Sequence, residues 1–106
     1  MIDFYGSFLS IARLRVPTIA VLQGATVGAG LCFAMAADLR IAAHEAKLGA
    51  NFVRVGLHPG MGCTLLLPRL VGAAKASELI LTGRLIGGEE AERIGLVQRA
   101  VPRAEL

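Results

Sequence analysis

The sequence predicts an α/β domain, and three observations carry that class. Short β-branched apolar runs, such as residues 18–22, alternate with helical stretches, such as residues 73–81; this order builds parallel strands joined by helices. Glycine and proline punctuate the joints, at Pro17, Gly24, Gly72 and Gly83 among others, where they break one element and start the next. Hydrophobic residues make up 55% of the 106 positions, and the mean hydropathy is +0.63. That is well above an ordinary soluble domain, so some faces are expected to be covered by other protein. The length fits one domain or part of one.

Residues 2–14 set Phe4, Phe8, Ile11 and Ala12 at helical spacings, with Asp3, Ser7, Ser10 and Arg13 on the opposite face. Pro17 ends that helix, because the residue before a proline avoids the α region. Residues 18–22 read as a strand buried on both faces of a parallel sheet. Residues 28–37 read as a helix that is apolar on nearly every side and therefore buried. Residues 38–43 alternate as a strand, and residues 46–49 continue extended after a turn at His44-Glu45. Residues 51–57 fit neither template, and Gly56, Pro59, Gly60 and Gly62 make residues 56–62 a loop. Residues 63–70 look helical, with Pro68 placed to end or kink them. Residues 73–81 form a helix with Ala76, Leu79 and Ile80 on one face and Gly83 just past its end. Residues 89–94 form a short helix with an acidic first turn, and residues 97–101 form a last short strand or extended exit.

Several function classes are disfavoured at once. Every apolar run is interrupted by Arg, Gly, Pro, Asp or Lys before the roughly 18 residues that a membrane span needs. The opening Met1-Ile2-Asp3-Phe4-Tyr5 lacks the basic-then-apolar order of a signal peptide, so a cytoplasmic protein without a membrane partner is expected. The net charge of +3 is spread over single Lys and Arg residues, with no basic run or aromatic interleaving, which argues against nucleic acid. Cys32 and Cys63 have no C-x-x-C spacing and no histidine at a ligand offset, so no metal site is expected and both read as small buried hydrophobes.

The stretch Val21-Leu22-Gln23-Gly24-Ala25-Thr26-Val27-Gly28-Ala29-Gly30 runs from a buried strand through glycines into a buried helix. The first N–H groups of such a helix have no intrahelical acceptor and point at whatever occupies the turn, where the helix dipole favours an anion. The dinucleotide pattern G-x-G-x-x-G fails at Phe33, and no lysine follows to complete a phosphate loop. A backbone oxyanion-type turn and simple close packing of a small-residue helix both remain open.

The runs Val16-Pro17-Thr18-Ile19-Ala20-Val21-Leu22-Gln23-Gly24, Val27-Gly28-Ala29-Gly30 and Ala36-Ala37-Asp38-Leu39-Arg40-Ile41-Ala42 resemble the central segment of the enoyl-CoA hydratase/isomerase (crotonase) superfamily. Downstream, Gly56-Leu57-His58-Pro59-Gly60-Met61-Gly62, Leu67-Pro68-Arg69-Leu70-Val71-Gly72, Glu78-Leu79-Ile80-Leu81-Thr82-Gly83-Arg84 and Glu89-Glu90-Ala91-Glu92-Arg93-Ile94-Gly95-Leu96-Val97 are similar to its later stations, in order. The resemblance implies a spiral of ββα repeats. Over residues 1–106 it would be incomplete, without the N-terminal strands and the C-terminal trimerisation helices. It implies an acyl-coenzyme A thioester as partner, with coenzyme A entering as part of the substrate and no separate cofactor, and a homo-oligomer built as a trimer or hexamer.

For the site, the resemblance implies that the backbone N–H of Ala29 is one of two donors to the thioester carbonyl. The second belongs to an earlier strand-to-helix turn. Gly28, Gly30, Cys32, Phe52, Pro59 and Gly60 would line the substrate. Hydratases of this family carry acid–base glutamates at two positions, and here Cys32 and Phe52 occupy them. Phenylalanine does not titrate, and a thiol in apolar surroundings stays protonated. Ordinary hydration is therefore in question, and a catalytically degenerate acyl-CoA-binding or assembly homologue is the alternative. His58 is either a substitute acid–base group in the acyl pocket or a turn histidine without a chemical role. Asp38-Leu39-Arg40 reads as a helix-to-strand joint, Glu45 and Glu78 as solvated charges, and Arg69 and Arg84 as solvated cations, with coenzyme A phosphates or partner subunits as the competing reading for both arginines.

Overall fold

The computed structural model describes residues 10–56 and 63–106. In chain order these form β1 (Ile19–Leu22), β2 (Ala25–Val27), α1 (Ala29–Met35), β3 (Leu39–Ala43), β4 (Lys47–Gly49), α2 (Cys63–Val71), α3 (Ala73–Thr82), α4 (Gly88–Ile94) and β5 (Arg99–Val101), with 3-10 turns at Ser10–Arg13, Asn51–Val55 and Arg103–Glu105. Strands β1, β3 and β5 make one parallel sheet with β3 in the middle; Ile19 lies opposite Leu39, and Ile41 opposite Arg99. Strands β2 and β4 make a second parallel pair, with Ala25 opposite Lys47 and Val27 opposite Gly49. The expected α/β class and ββα repeat are both present. β1-β2-α1 is followed by β3-β4-α2, and each repeat gives its first strand to one sheet and its second to the other.

Strand β2 lies where the sequence reads as a glycine-rich turn. Ala25-Thr26-Val27 is too short to show a period, and its β-branched residues become a strand because β4 supplies the ladder. Strand β1 departs from its expected burial on both faces. Leu22 is buried, but Ile19 and Val21 are 57% and 49% exposed, as is Leu39 on the neighbouring strand at 44%. Among the described residues, these three apolar side chains of the sheet stay open to solvent. The 3-10 turn Ser10–Arg13 falls inside the expected first helix; the rest of that expectation up to residue 9 lies outside the described residues.

Helix α1 is shorter than expected and is not apolar-buried all round. Leu31, Cys32, Ala34 and Met35 are buried, while Ala29, Gly30 and Phe33 share the outer face, as spacings of three and four residues dictate. Pro68 sits inside α2 without stopping it, and the helix runs on to Val71, where Gly72 at φ 87° turns the chain. Helix α4 carries Glu89 and Glu90 in its first turn and Arg93 in its last, the order that the helix dipole favours. The core gathers Leu31, Leu48, Leu67, Leu79, Leu96 and Val97 around small residues such as Ala42, Ala43 and Ala91. Each large side chain contributes about 1.5–3 kcal/mol by leaving water. At Gly88 a methyl group would overlap the backbone carbonyl of Ala43, so the start of α4 rests directly on the end of β3.

Candidate functional site

The joint between β2 and α1 is set by Gly28, at φ 53° and ψ −122°, a backbone state that residues with a side chain avoid. Its N–H donates to the Gly49 carbonyl at 3.0 Å, closing the β2–β4 ladder, and its carbonyl accepts from the Cys32 N–H at 3.1 Å, opening α1. The ladder therefore ends at Gly28, and the following N–H groups, of Ala29 and Gly30, fall in the first helical turn, where the helix supplies no acceptor. Both residues are exposed. The strained glycine thus sets the first turn of α1 at an exposed position.

Two side chains flank this turn. A Cβ on Gly28 would lie 3.4 Å from Asn51 Oδ1 and 3.9 Å from Phe52 Cε1 and Cζ. Phe52, partly buried and packed on the core, therefore lies beside Gly28. Asn51 was not anticipated, because residues 51–57 show no period; the structure forms them into the 3-10 turn Asn51–Val55, which follows directly on β4. Around Gly30 the space where a Cβ would stand is open. His58, Pro59 and Gly60 lie outside the described residues.

Cys32 behaves differently from a residue lining an open site. It is fully buried, as is Cys63, and both belong to one core. The neighbouring Cys63 thiol and the loss of water push the Cys32 thiol well above the ordinary thiol range. Both cysteines are buried hydrophobes, as expected, and they are also neighbours, which their spacing does not reveal.

The far end of α1 is fixed by Arg40, which is 2% exposed. Its Nη1 donates to the carbonyl of Ala37 at 2.8 Å and, at 3.4 Å, to those of Ala34 and Met35; its Nε donates to the Leu96 carbonyl at 2.8 Å. A cation placed on helix C-terminal carbonyls complements the dipole there. Burial lowers the guanidinium pKa, while the Asp38 charge opposes that shift. Asp38 in turn accepts from the Thr18 N–H at 2.9 Å, and its own N–H donates to Thr18 Oγ1 at 2.9 Å, clamping the entry of β1. The Asp-x-Arg joint is structural, as its position suggests.

Arg84 is not a free solvated cation. It donates to Glu78 through Nε at 2.6 Å and Nη2 at 2.8 Å, and to Glu90 through Nη2 at 2.9 Å. Hydrogen bonds from Arg84 pull the Glu78 carboxyl down to about 2 and lower Glu90, while the carboxylates raise Arg84. This triad ties α3 to α4, so Glu78 is a paired charge too. Glu45 receives the backbone N–H of Arg103 at 3.2 Å, and Arg69 is exposed. Among the described residues, no three His, Cys, Asp or Glu side chains converge as a metal site, and no helix is long and apolar enough to cross a membrane.

The fold recurs in known proteins. The family model for enoyl-CoA hydratase/isomerase matches residues 3–106. The chain belongs to the enoyl-CoA hydratase/isomerase family. It is 46% identical over 104 residues to the probable enoyl-CoA hydratase echA8 of Mycobacterium bovis, covering 98% of this chain and 40% of that protein. It is 48% identical over 100 residues to the mouse mitochondrial enoyl-CoA hydratase domain-containing protein 2, covering 94% of this chain and 34% of that one. The crystal structure of a probable enoyl-CoA hydratase/isomerase from Mycobacterium abscessus superposes with a TM-score of 0.94 at 40% identity, over 99% of this chain and 40% of that one. The crotonase-type fold is thus shared by nearly every residue here, and the chain spans about 40% of the length of these family members.

Proposed function

We propose that this chain handles an acyl-coenzyme A thioester in the manner of an enoyl-CoA hydratase/isomerase, with the Ala29 N–H receiving the thioester carbonyl oxygen. The observation that carries this reading is the division of labour at Gly28. Its own N–H closes the ladder on Gly49, and the next N–H, of the exposed Ala29, falls in the first turn of α1, where the helix supplies no acceptor. A preorganised N–H aimed at developing negative charge supplies about 3–4 kcal/mol of transition-state stabilisation. The role uses the backbone only, so the alanine side chain is no obstacle. The ring of Phe52 beside Gly28 offers an apolar wall for the acyl chain, and Gly30 leaves room for the ligand to approach.

Isothermal titration with crotonyl-CoA and with free crotonate tests this reading. The thioester should bind far more tightly, and equal affinities would remove the thioester site.

A second reading is favoured by Cys32. Its thiol is buried beside Cys63 and retains its proton, and Phe52 has none to give. An acyl-CoA-binding homologue that polarises the carbonyl without moving a proton fits those two residues. His58 separates the readings: hydration of crotonyl-CoA that disappears in His58→Ala would establish a substitute acid–base group and reject the degenerate reading. Assembly as a trimer or hexamer belongs to both readings, and a monomer in analytical ultracentrifugation would remove that part.

A further inference from the structure

We propose that Asn51 is a specificity-determining residue of the acyl site, whose side-chain amide pairs with a hydroxyl carried on the acyl chain close to the thioester carbonyl. The assignment rests on the thioester reading and adds to it the kind of acyl chain that the turn selects.

The backbone brings Asn51 to this place. Val27 and Gly49 are the last pair of the β2–β4 ladder, and the Gly28 N–H closes it on the Gly49 carbonyl at 3.0 Å. Just past Gly49 the chain enters the 3-10 turn Asn51–Val55, which carries Asn51 and Phe52 back onto Gly28. A Cβ on Gly28 would stand 3.4 Å from Asn51 Oδ1 and 3.9 Å from the nearest ring carbons of Phe52. Asn51 Oδ1 is then within about 7 Å of the Ala29 nitrogen, because a Cβ and the next backbone nitrogen lie about 3 Å apart. A carbonyl oxygen accepting from that nitrogen sits about 2.9 Å from it. The first few carbons of the acyl chain therefore fall within reach of the Asn51 amide.

That amide is available to a ligand. Asn51 is half-buried, and among the described residues no hydrogen bond holds its side chain. It neither caps its own 3-10 turn nor ties that turn to another element. Phe52 beside it offers only an apolar ring, and the space around Gly30 is open. A hydroxyl suits such a group, since it donates to Oδ1 or accepts from Nδ2 and either edge of the amide pairs with it. A hydrocarbon chain in the same place displaces water from the amide and returns no hydrogen bond. A site that pairs a substrate hydroxyl in this way discriminates against the analogue lacking it. An amide does not titrate, so Asn51 moves no proton; it selects and orients the chain.

The test compares matched thioesters by isothermal titration in wild type and in Asn51→Leu. The first pair is 3-hydroxybutyryl-CoA, each enantiomer separately, against butyryl-CoA; the second is 6-hydroxyhexanoyl-CoA against hexanoyl-CoA. Wild type should bind one enantiomer of 3-hydroxybutyryl-CoA about three- to tenfold more tightly than butyryl-CoA, and should show no preference for the distal hydroxyl. Asn51→Leu keeps most of the side-chain volume; in it the preference should vanish through weaker binding of the hydroxy thioester, with butyryl-CoA bound at least as well as before. Equal wild-type affinities within the first pair would overturn the proposal, as would a preference that survives in Asn51→Leu or one equally large for the distal hydroxyl. The wild-type comparison decides alone if the variant folds poorly. Butyryl-CoA binding no better than free butyrate would overturn the thioester reading and this assignment with it, whereas lost discrimination with butyryl-CoA still outbinding butyrate rejects Asn51 alone.

Discussion

Replacing Arg40 by Met keeps most of the side-chain volume and removes the guanidinium from a site only 2% exposed. The two short hydrogen bonds, to the carbonyls of Ala37 and Leu96 at 2.8 Å each, carry most of the effect, because the contacts at 3.4 Å are long. Leu96 is buried, so its carbonyl loses a charged donor with no water to replace it, at about 2–3 kcal/mol. Ala37 is half-buried, and water can partly take over there, so about 1 kcal/mol is lost. Relief from burying a cation offsets part of this total. The net expectation is a destabilisation of about 2–3 kcal/mol. Arg40→Lys should cost less, since one ammonium can reach one of the two carbonyls and keeps the charge. Urea denaturation followed by far-ultraviolet circular dichroism measures both variants. If Arg40→Met falls within about 0.5 kcal/mol of wild type, the level of a neutral surface change, the reasoning about the capped end of α1 is wrong.

Gly28→Ala should destabilise the protein by about 1–3 kcal/mol through its positive φ. Gly30→Ala, in helical backbone with open space around it, should be neutral or stabilising by up to about 1 kcal/mol; equal losses in the two variants would show that space and not backbone conformation governs the turn. Gly88→Ala should cost about 1–3 kcal/mol by forcing the start of α4 away from the Ala43 carbonyl, and an unchanged denaturation midpoint would contradict that contact. The Glu78 carboxyl is lowered from 4.5 to about 2. Its contribution to stability is therefore complete above the ordinary carboxylate value and is lost as pH falls through about 2. Glu78→Gln should flatten the stability profile between roughly pH 4.5 and 2, and a profile with wild-type slope would dismiss the Arg84 triad as its source.

What the sequence made legible follows from how local each feature is. The alternation of elements, the Asp38-Leu39-Arg40 joint and the glycine break before α1 depend on neighbours within a few residues. Strand β2 was hidden because three residues between glycines carry no period; its partner β4 lies twenty residues on. The Arg84 pairs fit no helical spacing, since Glu78 and Glu90 are each six positions away and meet only because Gly83 reverses the chain in the left-handed conformation. The nearness of Cys32 to Cys63 and the Asn51 side chain at Gly28 are tertiary. The exposure of Ile19 and Val21 departs from the expected burial of β1 because an apolar run signals a face to be covered, not what covers it.

The claim that matters most is that the Ala29 N–H polarises a thioester carbonyl. Crotonyl-CoA labelled with carbon-13 at the carbonyl reports this directly when its chemical shift is read free and bound, together with the Ala29 amide resonance. A downfield carbonyl shift accompanied by a downfield Ala29 amide proton is the expected result. Saturable binding with the carbonyl shift unchanged and the Ala29 amide undisturbed would contradict the assignment.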